Sequence, residues 1–207
     1  TMYCNSHQYI TTIIADETEE DALQTVRSMI RNGLVDSFIL LYSKQKDSII
    51  DFLHSEGVLY ALIGKAYQFA NQTIYVDTDN IQAGKDATEH LIQRGHTKIG
   101  FIGYEKTLLF SSDRRYGYEL AHLEHGLSIN PDYHITVEHT PNQLPETLSK
   151  LLNYPNRPTA FVVADDFLGV ALEHYCQQIG LRIPEDISII SFNNSLFAQL
   201  ALPPITS

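Results

Sequence analysis

Short, uninterrupted apolar runs separated by helix-length amphipathic stretches constrain this 207-residue chain more than any other feature. A strand that is apolar at every position needs cover on both sheet faces, and helices returning between parallel strands supply it. Residues 98–102, 159–164 and 187–192 come closest to such runs, broken only by Lys98, Thr159, Ser188 and Ser191, and 9–14, 35–42, 58–63, 73–76 and 133–138 read as further strands. Between them, apolar residues recur at helical spacing over 19–32, 47–55, 82–94, 113–124, 144–152 and 167–178. Gly33, Gly57, Gly95, Gly126 and Gly180 fall where those helices should stop. The pattern predicts an α/β chain of βαβ units, with an internal division near residues 77–84.

Composition removes several classes of function. Hydrophobic residues make up 43% of the chain, so it can bury a real core. No apolar run approaches the roughly 18 to 20 residues that a membrane-spanning helix needs. A net charge of −11 argues against a phosphate-binding surface, since Lys and Arg supply most nucleic-acid affinity. Cys4 and Cys176 form no metal-ligand pair and suit a reducing cytoplasm. No strand is followed by GxGxxG, no phosphate loop has the required spacing, and no GxSxG elbow is present. An ATPase, a dehydrogenase and an α/β-hydrolase are therefore unsupported. His122 and His125 lie three apart on one predicted helix but nothing nominates further ligands, so a surface or helix-end role is expected and no metal. For His96, after Gly95, the expectation is strand-entry packing, and for Tyr116 and Tyr118 it is the core.

What remains is a set of polar groups at predicted strand ends, which in an open parallel sheet is where ligands bind. Arg114 opens the 113–124 helix after a loop carrying Ser111 and Ser112, and its guanidinium offers a fork of donors. The same position also suits a salt bridge. Asp165 and Asp166 end the 159–164 strand; one is expected to cap the next helix, leaving the other to spare. Asn193 and Asn194 end the last strand, and Asp79 sits at the internal division, where its alternative is a turn or helix cap. Adjacent residues of an extended segment point to opposite sides, so Asp165 and Asp166 cannot flank one scissile bond. Binding of a polyhydroxylated ligand is favoured over catalysis, and no enzyme activity or cofactor is expected.

Those segments resemble the effector-binding domain of the LacI/GalR family of bacterial transcription regulators. The resemblance is carried by Val76-Asp77-Thr78-Asp79-Asn80 with Gly84, and by residues 90–103, His-Leu-Ile-Gln-Arg-Gly-His-Thr-Lys-Ile-Gly-Phe-Ile-Gly. Asp113-Arg114-Arg115-Tyr116-Gly117-Tyr118, residues 157–166, residues 180–189 and Pro203-Pro204-Ile205-Thr206 extend it in the family's order and spacing. Residues 9–64 fit more loosely. Within the family, Ile-Ile-Ser-Phe-Asn-Asn and Phe-Ile-Leu-Leu-Tyr-Ser-Lys look most like maltose-operon repressors of Gram-positive bacteria.

The resemblance implies a periplasmic-binding-protein-like fold of two lobes, each with a parallel sheet, around a small-molecule cleft. Residues 1–79 would be a partial N-terminal lobe, 80–204 the C-terminal lobe, and 205–207 the start of a crossover back. Arg114 would hold effector hydroxyls or a carboxylate, Asp165, Asn193 and Asp79 would also face the effector, and a stacking side chain would come from the position that looks like His139. The implied partners are a saccharide effector such as maltose, operator DNA through a helix-turn-helix expected upstream of Thr1, and a second copy in a homodimer. The family also leaves room for a co-regulator protein, and none of this needs a membrane. Where relatives carry Gly-Phe-Asp-Asp, this chain has Ser191-Phe192-Asn193-Asn194. An amide in place of an acceptor-only carboxylate changes the hydrogen-bond inventory, so effector identity does not transfer directly. The rival reading is a secreted sugar-binding protein of a transporter, which shares the fold and predicts a signal peptide upstream instead.

Overall fold

In the computed structural model, which describes residues 2–16, 18–42, 44–137, 144–153 and 155–207, the chain divides into two units, Thr1–Tyr75 and Val76–Ser207. The first unit runs α1 (Met2–Ser6), α2 (Glu19–Arg31), β1 (Ser37–Leu40), α3 (Ser48–Ser55), β2 (Leu59–Ile63) and β3 (Ile74–Val76), whose last residue lies past the division. Thr18 caps α2 by accepting from the Asp21 N–H, and Glu19, Glu20 and Asp21 crowd the positive end of its dipole. Asp47 caps α3 the same way, accepting from the Ile49 and Ile50 N–H groups. Strands β1 and β2 pair in parallel from Ser37↔Leu59 to Leu40↔Leu62, with β3 beyond β2. Val26, Ile50 and Leu53 from the helices pack with Phe38, Tyr60 and Leu62 from the strands.

Two expectations fail in this unit. Residues 9–14 form no strand: Ile10 is 96% exposed, and among the described residues the segment has no ladder partner. β-branched residues fit a half-buried pleated surface, and without one their preference has nothing to act on. The 35–42 strand shrinks to Ser37–Leu40 and is buried on one side only, with Phe38 covered and Ile39 62% exposed. Continuous apolarity signalled two covered faces; α2 and α3 supply one.

The second unit follows the predicted rhythm closely. It runs α4 (Asn80–Gln93), β4 (Ile99–Tyr104), α5 (Leu109–Glu124), a short 3₁₀ turn Pro131–Tyr133, β5 (His134–Val137), α6 (Leu144–Leu152), β6 (Ala160–Val163), α7 (Asp166–Gln178), β7 (Ser188–Ile190) and α8 (Leu196–Leu200). The sheet order is β5-β4-β6-β7, parallel throughout, with Ile102 opposite both Ile135 and Val163. Thr206 adds a parallel bridge to Ile190 at the β7 edge. Every residue of β6, and of β4 up to Gly103, is buried, as helices on both faces require.

Differences here lie at element boundaries. Helix α5 begins at Leu109 rather than residue 113, without a side-chain cap on its N-terminus. Its serines serve the preceding strand and loop instead: Ser111 Oγ accepts from the Tyr104 N–H at 2.9 Å, and Ser112 Oγ donates to the Lys106 carbonyl at 2.9 Å. Arg114 is therefore in the second turn. Helix α8 was not foreseen at all. Helices α4 and α5 touch backbone to backbone. A Cβ on Gly84 would lie 2.2 Å from the Arg114 carbonyl oxygen, and one on Gly117 would lie 2.0 Å from that of Ile81.

Candidate functional site

The carboxyl ends of β4, β6 and β7 and the N-terminal turns of α4, α5 and α7 bring one buried arginine among several carboxylates. Arg114 is 7% exposed. Its Nε donates to Asn80 Oδ1 at 2.9 Å, and its Nη1 donates to the Ala164 carbonyl at the end of β6. The guanidinium carbon sits 4.3 Å from the centre of the Phe192 ring and 5.2 Å from that of Phe110, within cation–π range. Burial pulls the Arg114 pKa below its ordinary value, while Asp165, Asp77 and Asp166 push it back up. An arginine stays charged through such a shift.

Each neighbouring carboxylate is also held. Asp165 caps α7, its Oδ1 accepting from the Leu168 N–H at 2.9 Å, and its Oδ2 accepts a hydrogen bond from the Tyr104 hydroxyl at 2.7 Å. Burial first, and then that bond to Asp165, raises the Tyr104 phenol pKa well above the usual range. Asp166 is buried and accepts from the Ser191 hydroxyl and, at 2.6 Å, from the Ser195 N–H. Asp77 Oδ1 accepts from Asn80 Nδ2 at 3.0 Å and from the Thr78 N–H at 2.9 Å. Asn80 thus joins Asp77 to Arg114.

The structure brings Arg114 and Asp165 together. Asn193 follows Phe192 directly and is exposed, with φ at +86°, and Asn194 continues the left-handed turn at +46°. Single left-handed Asn residues are tolerated, and two in a row mark a tightly constrained corner. Asp79 is exposed and caps α4, accepting from the Gln82 N–H at 2.9 Å, which is the cap role anticipated as its alternative. His139 lies outside the described residues.

Sequence reasoning passed over Asn80, Tyr104 and Phe192. Asn80 stood inside the quoted Asp-Thr-Asp-Asn segment, and Tyr104 and Phe192 stood at strand ends, so the strand-end rule could have nominated all three. The histidines need one correction. His122 is no surface residue: it is 1% exposed, its Nδ1 lies 2.9 Å from the Tyr118 carbonyl, and burial lowers its pKa. His125 stands at the α5 C-terminus near Glu89, and His96 Nδ1 meets Thr159 Oγ1 at 2.9 Å. Tyr118 is core, with its hydroxyl on the Ile99 carbonyl, whereas Tyr116 is half exposed. Among the described residues no three His, Cys, Asp or Glu side chains gather as a metal set, and no helix is long and apolar enough to cross a membrane. A small concavity open to solvent lies along β4, β5 and the start of α5; Arg115, not Arg114, is on its wall.

Comparison with known proteins places this chain in a family. Residues 88–207 match the model of the periplasmic binding protein-like domain. The transcriptional regulator MalR of Staphylococcus xylosus is 29% identical over 204 residues, 99% of this chain and 59% of its own length. A solved LacI transcriptional regulator from Bacillus cereus subsp. cytotoxis superposes with a TM-score of 0.91 at 31% identity, covering 99% of this chain and 72% of that one. A solved maltose operon repressor, malR, from Staphylococcus aureus gives 0.89 at 29%, with 99% and 73% covered. The chain thus spans about three fifths of its curated relative.

Proposed function

Because this chain belongs to the periplasmic binding protein-like domain family, among the LacI-type transcription regulators, we propose that its Val76–Ser207 unit is the effector-sensing part of a sugar-responsive transcriptional repressor. The effector is a saccharide, with maltose or a related glucoside the first candidate, since two similar proteins carry the names MalR and maltose operon repressor. One observation carries the reading: Arg114 is anchored through Nε and Nη1 at the carboxyl edge of the sheet, leaving Nη2 as the donor group assigned to the ligand. Asp165 and Asn193 would add an acceptor and an amide to the same grip, Asp79 a further carboxylate, and His139 a stacking ring. Nothing in this set resembles a nucleophile with its base.

Ligand binding can change operator affinity only through different affinities for two conformations. Reading of DNA is assigned to a helix-turn-helix elsewhere in the full-length protein, because a segment of charge −11 has little with which to neutralise phosphates. That full-length protein is proposed to act as a homodimer, with a co-regulator protein as an additional partner.

Isothermal titration of the full-length protein against maltose, cellobiose, trehalose and their phosphorylated forms tests the sugar claim, and absence of any saccharide binding ends it. Arg114→Lys keeps the charge but loses the planar fork; affinity should fall at least ~10-fold while the circular dichroism spectrum is retained. Unchanged affinity removes Arg114 from the site. Ligand-dependent release of operator DNA distinguishes a regulator from a transport protein.

A further inference from the structure

Three carboxylates stand around one guanidinium in this cluster, and each is fixed by bonds already described. Asp77 is tied to Arg114 through Asn80, Asp165 is held by Tyr104 and the α7 N-terminus, and Asp166 is held by Ser191 and Ser195. We propose that this collar makes the site select uncharged, hydroxyl-rich ligands and reject their phosphorylated or carboxylated counterparts. The inference rests on the sugar-sensing reading and adds a charge criterion to it.

Two independent features lead there. A guanidinium grips an oxyanion through a fork of two adjacent N–H groups, either Nε with Nη2 or Nη1 with Nη2. In Arg114 the first fork has lost its single Nε proton to Asn80, and in the second Nη1 already gives one of its two N–H groups to Ala164, so neither fork is wholly free for an oxyanion. A lone hydroxyl oxygen needs only one donor and fits what is left. The second feature is charge. Asp165, Asp77 and Asp166 all act on the Arg114 guanidinium electrostatically, so three negative charges face one positive charge. A phosphate monoester brings about −1.5 to −2 more. An ionised carboxylate only accepts, so a cluster rimmed by carboxylates suits ligand groups that donate, as sugar hydroxyls do and a phosphate dianion does not.

Titrating the full-length protein with maltose and with maltose 6′-phosphate, at low salt and again at higher salt, tests the criterion. The phosphorylated sugar should bind at least ~10-fold more weakly, and the gap should narrow as salt screens the collar. Asp77→Asn keeps an acceptor for Asn80 and Thr78 but removes one charge, and should narrow the gap by about threefold. Circular dichroism confirms that the variant folds. Equal or tighter binding of the phosphorylated sugar overturns the charge criterion and leaves the sugar-sensing reading standing. Binding of neither sugar nor any other saccharide overturns that reading itself, and the criterion with it. A gap that ignores both salt and Asp77→Asn also overturns the criterion, because the discrimination would then be steric.

Discussion

Arg114 has one observed role and one proposed role, and their energetic demands differ. As a strut it joins the start of α4, the end of β6 and the ring of Phe192; the proposed binding role would draw on the N–H groups that Asn80 and Ala164 leave over. The strut depends on Asn80, a buried amide. Asn80→Ala would leave Nε without its acceptor and Asp77 without one of its donors. A buried donor stripped of its partner costs about 1–3 kcal/mol, and urea unfolding of the variant should show a loss in that range. A loss well below it would mean that water replaces Asn80. The sequence nominated Arg114 and Asp165 because charged residues at strand ends are conspicuous. It was silent on Asn80, because an amide beside a helix cap reads as more capping until the guanidinium across from it is seen. Asp79 reversed the emphasis, its cap bond being visible and its facing of a ligand resting on the family resemblance.

Among elements, the α4–α5 pair decides how the cluster is built. Gly84 and Gly117 let the two helix backbones meet, and that closeness brings Arg114 within reach of Asn80. Gly84→Ala and Gly117→Ala force the helices apart by overpacking. Each should lower stability by about 1–3 kcal/mol or more in denaturant melts, with sugar affinity falling in parallel. Retained affinity in a stably folded Gly117→Ala protein would show that the helix spacing does not set the grip. Element type was legible in the second unit, since its central strands β4 and β6 are buried on both faces and α4, α5 and α7 stop at glycines. Boundaries were less so. Helix α5 starts four residues before its first acid because its serines serve the preceding strand and loop rather than capping the helix. In the first unit a β-branched segment without a partner, residues 9–14, formed no strand, since a strand is stabilised by neighbours that its own sequence does not contain.

At the scale of the whole molecule, three histidines are expected to make the fold less stable in mild acid. Burial keeps His122 and His134 below their ordinary pKa near 6.5, with the Arg115 charge adding to the effect at His134, and burial lowers His96 likewise. The unfolded chain takes up protons that the fold refuses. Their contribution to stability is therefore complete above about pH 6.5 and declines as pH falls below it. Melting temperature should drop between about pH 6.5 and 5, and His122→Gln should flatten that decline; an unchanged slope would assign the acid sensitivity to other groups. The fold class and the family were present in the sequence, because hydrophobic period and residue order are local properties of a chain. Which face of a strand is covered, which acids lie beside the arginine, and how many of its donors the fold itself engages were decided only by tertiary structure. Each of those depends on a group brought close from a distant part of the chain: Asn80, Ala164 and Phe192 meet Arg114 across separations that no local pattern records.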